Sequence, residues 1–363
     1  MNCVSNGEKL PVRPYFDRTM TLYIKGIALL CMLVHHFFTF PDRYVAGIEY
    51  PYLDLFARFF QAPMKICVSS FAFLTGYFYY FNKKKTLAYS LKKDFQLLIS
   101  YWVAFLVLLG LSALAGFQFR WENIVAEMLT LRKDLMVDSW YVQFYLVAMV
   151  MLPLAVRLLP KNGPASYLVG LGVPVILLTL LAEIFPGRIA TIAQTQRQWF
   201  TSIMVGYLAA RNDLFAGYFD PIRDRLTKKW QKILCGLALM GFAMVTRRFF
   251  TYGIFGMVFL SRNYTFQIYM DVLYAPLFIY GVITCLQQIR LTKWMEKILA
   301  SIGRLSLPMW FAHGLFFSSA KEVFQPIAFL PKEPLAVFVW ATLLTYILAW
   351  CMDKITNLIL RKR

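Results

Sequence analysis

Roughly ten apolar stretches, each close to the ~20 residues a helix needs to cross hydrocarbon, recur along this chain with short polar joints between them. They cover residues 19–40, 63–81, 96–118, 140–159, 167–186, 198–211, 231–247, 267–288, 304–320 and 334–352, the sixth being the shortest. The expected fold is all-α: a polytopic membrane domain of about ten transmembrane helices over residues 19–352. A tail at 1–18 and a basic tail at 353–363 flank it. A mean hydropathy of +0.55 agrees, since it lies far from that of soluble globular chains. No small-residue cleavage site follows the first stretch, so it reads as a retained helix and not a signal peptide.

The formal charge of +19 raises the question of nucleic acid. The basic residues lie in short clusters between apolar stretches and not on one patch, which is a topology signal, and a nucleic-acid role is rejected. With the N-terminus inside, Lys83-Lys84-Lys85, Lys92-Lys93 and the clusters at 223–232, 290–297 and 361–363 all face the cytoplasm. About 24 of the 38 Lys and Arg then fall on the inner side, so both termini are expected to be cytoplasmic. Residues 52–61 are aromatic-rich and end before Pro63, which places them along the outer interface with Arg58 snorkelling. Residues 120–139 form a second outer segment, with helical spacing of Ile124, Met128, Leu131 and Leu135, as a cap over a cavity. No internal repeat is visible. The six cysteines carry no CxxC pairing and read as small packing residues. Three histidines without a second ligand at metal spacing argue against zinc.

Ionisable side chains within a span are costly and by default functional. Lys25 and His36 both lie in the first stretch. At about 100° per residue, eleven steps return to within roughly 20° of the starting azimuth and climb about 16 Å, so the two share one face at different depths. His35 falls roughly 80° away by the same geometry. His36 is therefore the candidate proton acceptor, near the outer end of its helix. Lys25 reads either as its functional counterpart or as a snorkelling anchor. His313, midway along the ninth stretch, reaches a comparable depth and lines one cavity with His36, or is held by a backbone carbonyl. Asp271, at the outer start of the eighth stretch, either orients an imidazole or is a solvated helix-start residue. Lys65, just past Pro63, binds an anionic or hydroxylated substrate at the outer mouth, or snorkels. Lys92 and Lys93 suit lipid headgroups and equally the phosphates of a cofactor.

On these residues the chain resembles the acyltransferase-3 family of bacterial membrane acyltransferases, whose first span carries an arginine, ten intervening residues and a histidine. Lys25 and His36 keep that spacing, with lysine in place of arginine, which preserves the charge and removes the bidentate fork. Phe71-Ala72-Phe73-Leu74-Thr75-Gly76-Tyr77 resembles the family's Phe-Phe-Leu-Ser-Gly segment, and Trp140-Tyr141 resembles the Trp-aromatic start of a later helix. Ile302-Gly303-Arg304-Leu305-Ser306 through His313 resembles the family's Gly-Lys-x-Ser to His stretch.

The resemblance runs in order over nearly the whole chain. It implies a multi-pass protein of the bacterial plasma membrane that moves an acyl group from cytoplasmic acyl-CoA, usually acetyl-CoA, to a hydroxyl of a cell-surface glycan or its lipid-linked precursor. His36 and Lys25 are then catalytic, Lys25, Lys92 and Lys93 hold the cofactor, and His313, Lys65, Trp140 and Asp271 shape the acceptor pocket, with no metal. Some members carry an extracellular hydrolase-like domain; these 363 residues show none, so direct transfer or an unlinked extracellular transferase is expected. Two other classes stay open at this stage, a secondary transporter of a small polar solute and a non-catalytic member of a polysaccharide-assembly complex.

Overall fold

The computed structural model describes residues 13–48, 53–133, 136–160, 164–252 and 264–360. All regular structure among the described residues is helical. The chain begins with α1 (Arg18–Phe38), capped by the Asp17 carboxylate on the Met20 amide at 2.7 Å. Next come α2 (Leu53–Met64), α3 (Ile66–Phe81), α4 (Leu87–Leu114), α5 (Trp121–Met128) and α6 (Ser139–Arg157). Then follow α7 (Pro164–Tyr167), α8 (Val173–Ile184), α9 (Arg188–Arg211), α10 (Asp220–Arg223), α11 (Lys229–Tyr252) and α12 (Tyr264–Gln288). The chain closes with α13 (Lys293–Arg304), α14 (Ser306–Ala312), α15 (Lys321–Ala328) and α16 (Pro334–Ile359).

Each apolar stretch of the sequence coincides with helix. Among the described residues, six segments are long and apolar enough to cross a membrane: Arg18–Phe38, Leu87–Leu114, Ser139–Arg157, Ala165–Ile184, Met270–Gln288 and Pro334–Ile359. Many outward-facing side chains on them are large and apolar, among them Leu106, Leu154, Ile176, Leu180, Leu343 and Ile347. Such a surface is stable against lipid and not against water, as a multi-pass membrane protein requires.

Several boundaries differ from the sequence reading, among them the starts of α4 at Leu87 and α9 at Arg188, ahead of residues 96 and 198. Helix α2 runs through Pro63 to Met64, and the break falls at Lys65, because a proline in the last turn removes only one intrahelical bond. Tyr52 and the Arg58 side chain lie outside the described residues. The segment 120–139 is helical only over α5, so Ile124 and Met128 share a helix that Leu131 does not continue, and Leu135 is outside the described residues. The ninth stretch is two pieces, α14 and a 3₁₀ turn at His313–Phe317. Helix α16 continues without a break past residue 352 to Ile359.

Two glycine contacts set the helix spacing. A Cβ on Gly76 would lie 1.7 Å from the Ile203 carbonyl oxygen, and one on Gly206 would lie 2.0 Å from that of Phe73, so α3 and α9 meet backbone to backbone. A Cβ on Gly303 would lie 1.9 Å from the Leu22 carbonyl oxygen, which brings α13, and α14 after it, against α1. The second contact puts His313 and His36 on adjoining elements.

Candidate active site

His36 sits near the C-terminal end of α1 with 14 % of its side chain exposed. Its Nε2 lies 3.9 Å from Oδ1 of Asp138, and Nε2 of His313 lies 3.1 Å from the other oxygen, Oδ2. The two imidazole rings are 4.7 Å apart. Three separate elements converge here: α1, the residue preceding α6, and the 3₁₀ turn after α14.

Each group is held by its own local structure. Asp138 stands just before α6, where its carbonyl accepts from the Tyr141 amide at 3.1 Å. The loop leading to it is tied down by the buried Glu127, whose carboxylate accepts from the Met136 amide at 3.1 Å. Helix α5 is in turn fixed to α4 by Tyr101 and Trp102, which donate to the Glu127 and Met128 carbonyls at 2.7 and 3.0 Å. His313 is fully buried, and its Nδ1 donates to the Trp310 carbonyl three residues back, the natural reach of a 3₁₀ turn. That bond places a hydrogen on Nδ1 and leaves Nε2 turned toward the Asp138 carboxylate. Of the two rings His313 lies closer to the carboxylate, with His36 the looser neighbour. A proton arriving on His36 meets the same carboxylate, which is how an acid supports a histidine base.

Behind this cluster lies a cavity of about 1180 Å³, lined toward the N-terminal end of α1 by Arg13, Arg18, Lys25, Lys93 and Arg304. It exceeds the roughly 300–1,000 Å³ of ordinary small-molecule pockets. Thr21, Leu22 and Lys25 line it from the α1 face that carries His36 eleven residues on. Phe71, Tyr141 and Trp310 close its wall nearest the histidines, the last two rings stacked with centroids 4.8 Å apart. Tyr15, also on the wall, donates to Asp220 at 2.6 Å, and Arg223 bridges the same carboxylate at 2.9 Å. Burial first, and then the Asp220 bond, push the Tyr15 phenol up to about 12.

The structure brings His36 and His313 together and places Lys25 and Lys93 on the cavity. Lys92 is exposed and is not among the lining residues. Lys65 lies with its Nζ 5.6 Å from the Trp199 ring centre, and Trp140 lies 6.2 Å from the same ring, two residues from Asp138. Arg43 ends the short 3₁₀ turn that follows α1, its guanidinium carbon 3.8 Å from the Phe40 ring centre.

Asp271 needs a correction. It orients no imidazole and is no solvated helix start: it is fully buried and grips Arg247 of α11, Nε to Oδ1 at 2.9 Å and Nη2 to Oδ2 at 3.2 Å. Arg247 also donates to the Ala62 carbonyl, which ties α11, α12 and the end of α2 together. A guanidinium fork matches a carboxylate better than an imidazole does, and α11 and α12 pack along their length.

Sequence reasoning missed Asp138 and Arg247. The available signal was depth: both are charges at span ends on the side of the bundle expected to hold His36. The spacing argument against a metal also fails to reach ligands brought from different elements. One ligand atom each from His36, Asp138 and His313 lie within 4.8 Å of one another, so this cluster is where the described residues could hold an ion.

No curated protein and no solved structure matches the chain. The family model for the acyltransferase domain matches residues 15–354, nearly the whole chain and every element of the site. With the histidine cluster, the cavity and the apolar exterior, this match makes the chain a multi-pass membrane member of the acyltransferase-3 family, an enzyme that transfers acyl groups other than amino-acyl groups.

Proposed function

We propose that this protein is an O-acyltransferase that takes an acyl group, usually acetyl, from cytoplasmic acyl-CoA and delivers it to a hydroxyl of a cell-surface glycan or its lipid-linked precursor. The observation that carries the reading is the division of the site into two parts. A large cavity with a basic rim lies on one side, and a buried His-Asp-His cluster lies beyond its aromatic wall, toward the other end of α1.

In this reading the N-terminal end of α1 faces the cytoplasm, as the distribution of basic residues favours. Lys25 and Lys93, with the arginines of the rim, draw the phosphates of the donor by their field, and its pantetheine arm extends toward Trp310. The acceptor hydroxyl enters at the C-terminal end of α1, beside Lys65, Trp140 and Arg43. His36 removes its proton as the oxygen attacks the thioester carbonyl, a C–O bond forms, the C–S bond breaks, and the thiolate leaves on CoA. The Asp138 carboxylate stabilises the imidazolium that results, while His313 holds that carboxylate in place. The plasma membrane of a bacterium is the setting that fits a cytoplasmic donor and an outer acceptor.

The test is CoA release from acetyl-CoA by purified protein in lipid vesicles supplied with a surface-glycan fraction. The native chain and His35→Ala are expected to turn over donor and His36→Ala to lose at least a hundredfold, the scale of a general base. Equal rates for native and His36→Ala would remove the mechanism.

A further inference from the structure

Trp310 faces both halves of the site. Its backbone carbonyl receives the Nδ1 hydrogen of His313, while its side chain lines the cavity at the wall nearest the cluster. The ring is held from two sides, stacked on Tyr141 at 27° and met edge-on by Phe71 with centroids 5.5 Å apart. The residue is 4 % exposed, yet its indole Nε1–H has no hydrogen-bond partner among the described residues. A buried donor left unpaired is costly, and each such group in a native protein calls for an explanation, a bound partner being one. An indole nitrogen can only donate, so that partner must offer an acceptor oxygen.

We propose that the Trp310 Nε1–H binds the carbonyl oxygen of the acyl thioester and so selects the loaded donor over carbonyl-free CoA species. This rests on the acyl-CoA reading above. Of the cavity-lining residues in α14, Trp310 is the one nearest His313 along the chain, which is where the thioester must lie for an acceptor oxygen held by His36 to reach its carbon. As that oxygen adds, the thioester carbonyl oxygen takes on negative charge, and the same N–H bears it with no proton transferred. Tyr141 and Phe71 keep the donor aimed without bonding to it.

The experiment compares acetyl-CoA with S-ethyl-CoA, a thioether of nearly the same shape that lacks the carbonyl, by calorimetric titration into the full-length protein in lipid nanodiscs. The native protein is expected to bind acetyl-CoA about three- to tenfold more tightly, the worth of one neutral hydrogen bond. Trp310→Phe, which keeps an aromatic ring and removes the donor, is expected to bring the ratio to about one while S-ethyl-CoA binds as before. It should lower kcat by about a hundredfold or more, as loss of one oxyanion donor does. Ultraviolet resonance Raman spectra of the native protein give the comparison without a substitution: the indole N–H band should shift toward stronger bonding with acetyl-CoA and not with S-ethyl-CoA. Native protein that binds both ligands equally, a Trp310→Phe ratio unchanged from native, or Raman bands that coincide, would overturn the proposal while leaving donor binding intact. Failure of the native protein to bind any CoA species would overturn the acyl-CoA reading itself.

Discussion

Replacing Asp138 by Asn removes one charge and almost no volume, and its consequence follows from the site geometry. The Asp138 oxygen nearest His36 is 3.9 Å from Nε2. Two unit charges at that separation interact by about 4 kcal/mol at an effective dielectric of about 20, the value suited to a pair neither dry nor fully wet. The carboxylate acts on His36 only once the ring has gained its proton, so this energy lowers the barrier and not the substrate complex. Its loss is worth about a thousandfold in rate. His313 need not be stranded by the change, because an Asn amide N–H can donate to the bare Nε2 of a neutral imidazole while Nδ1 stays on the Trp310 carbonyl. Asp138→Asn is therefore expected to fold, to unfold within a few degrees of the native protein and to bind acetyl-CoA normally. The assay is kcat for donor turnover in lipid vesicles beside a thermal melt of the same preparation. A variant that folds and works within threefold of native refutes the electrostatic role assigned to Asp138.

Three other outcomes test the remaining assignments. Lys93→Ala should raise KM for acetyl-CoA with little change in kcat, and more steeply at low salt, whereas Lys92→Ala, outside the cavity, should leave KM alone; steady-state kinetics at two ionic strengths separates them. Gly76→Ala forces a methyl group onto the Ile203 carbonyl and should destabilise the α3–α9 crossing by about 1–3 kcal/mol or more, read as a lowered melting temperature in detergent. Asp271→Asn leaves the buried Arg247 without its counter-charge and should cost about 3–5 kcal/mol in the same melt; adding Arg247→Met should restore part of that loss, and a double variant worse than the single would count against the ion pair as the source.

The helical fold and the placement of two ionisable groups on one helix were legible in the sequence because both depend on local periodicity. Apolar length dictates helix in a lipid setting, and the eleven-residue interval alone is enough to put Lys25 and His36 on one face of α1. The motif glycines Gly76 and Gly303 were visible too, though not their purpose, since only the packed helices show which backbone each admits. Asp138 carries no such pattern: it stands at a helix start, and it matters because a buried Glu127 and two aromatic donors of α4 fix the loop that presents it. Asp271 shows the opposite case, a charge whose depth suited an imidazole until α11 supplied a guanidinium instead. What the sequence by itself determined is the set of elements and the face of each that carries charge, because those follow from the covalent spacing of neighbours. Which charges meet was left to tertiary structure, because the approach of two helices depends on the shapes of both surfaces, and no single stretch of chain contains that information.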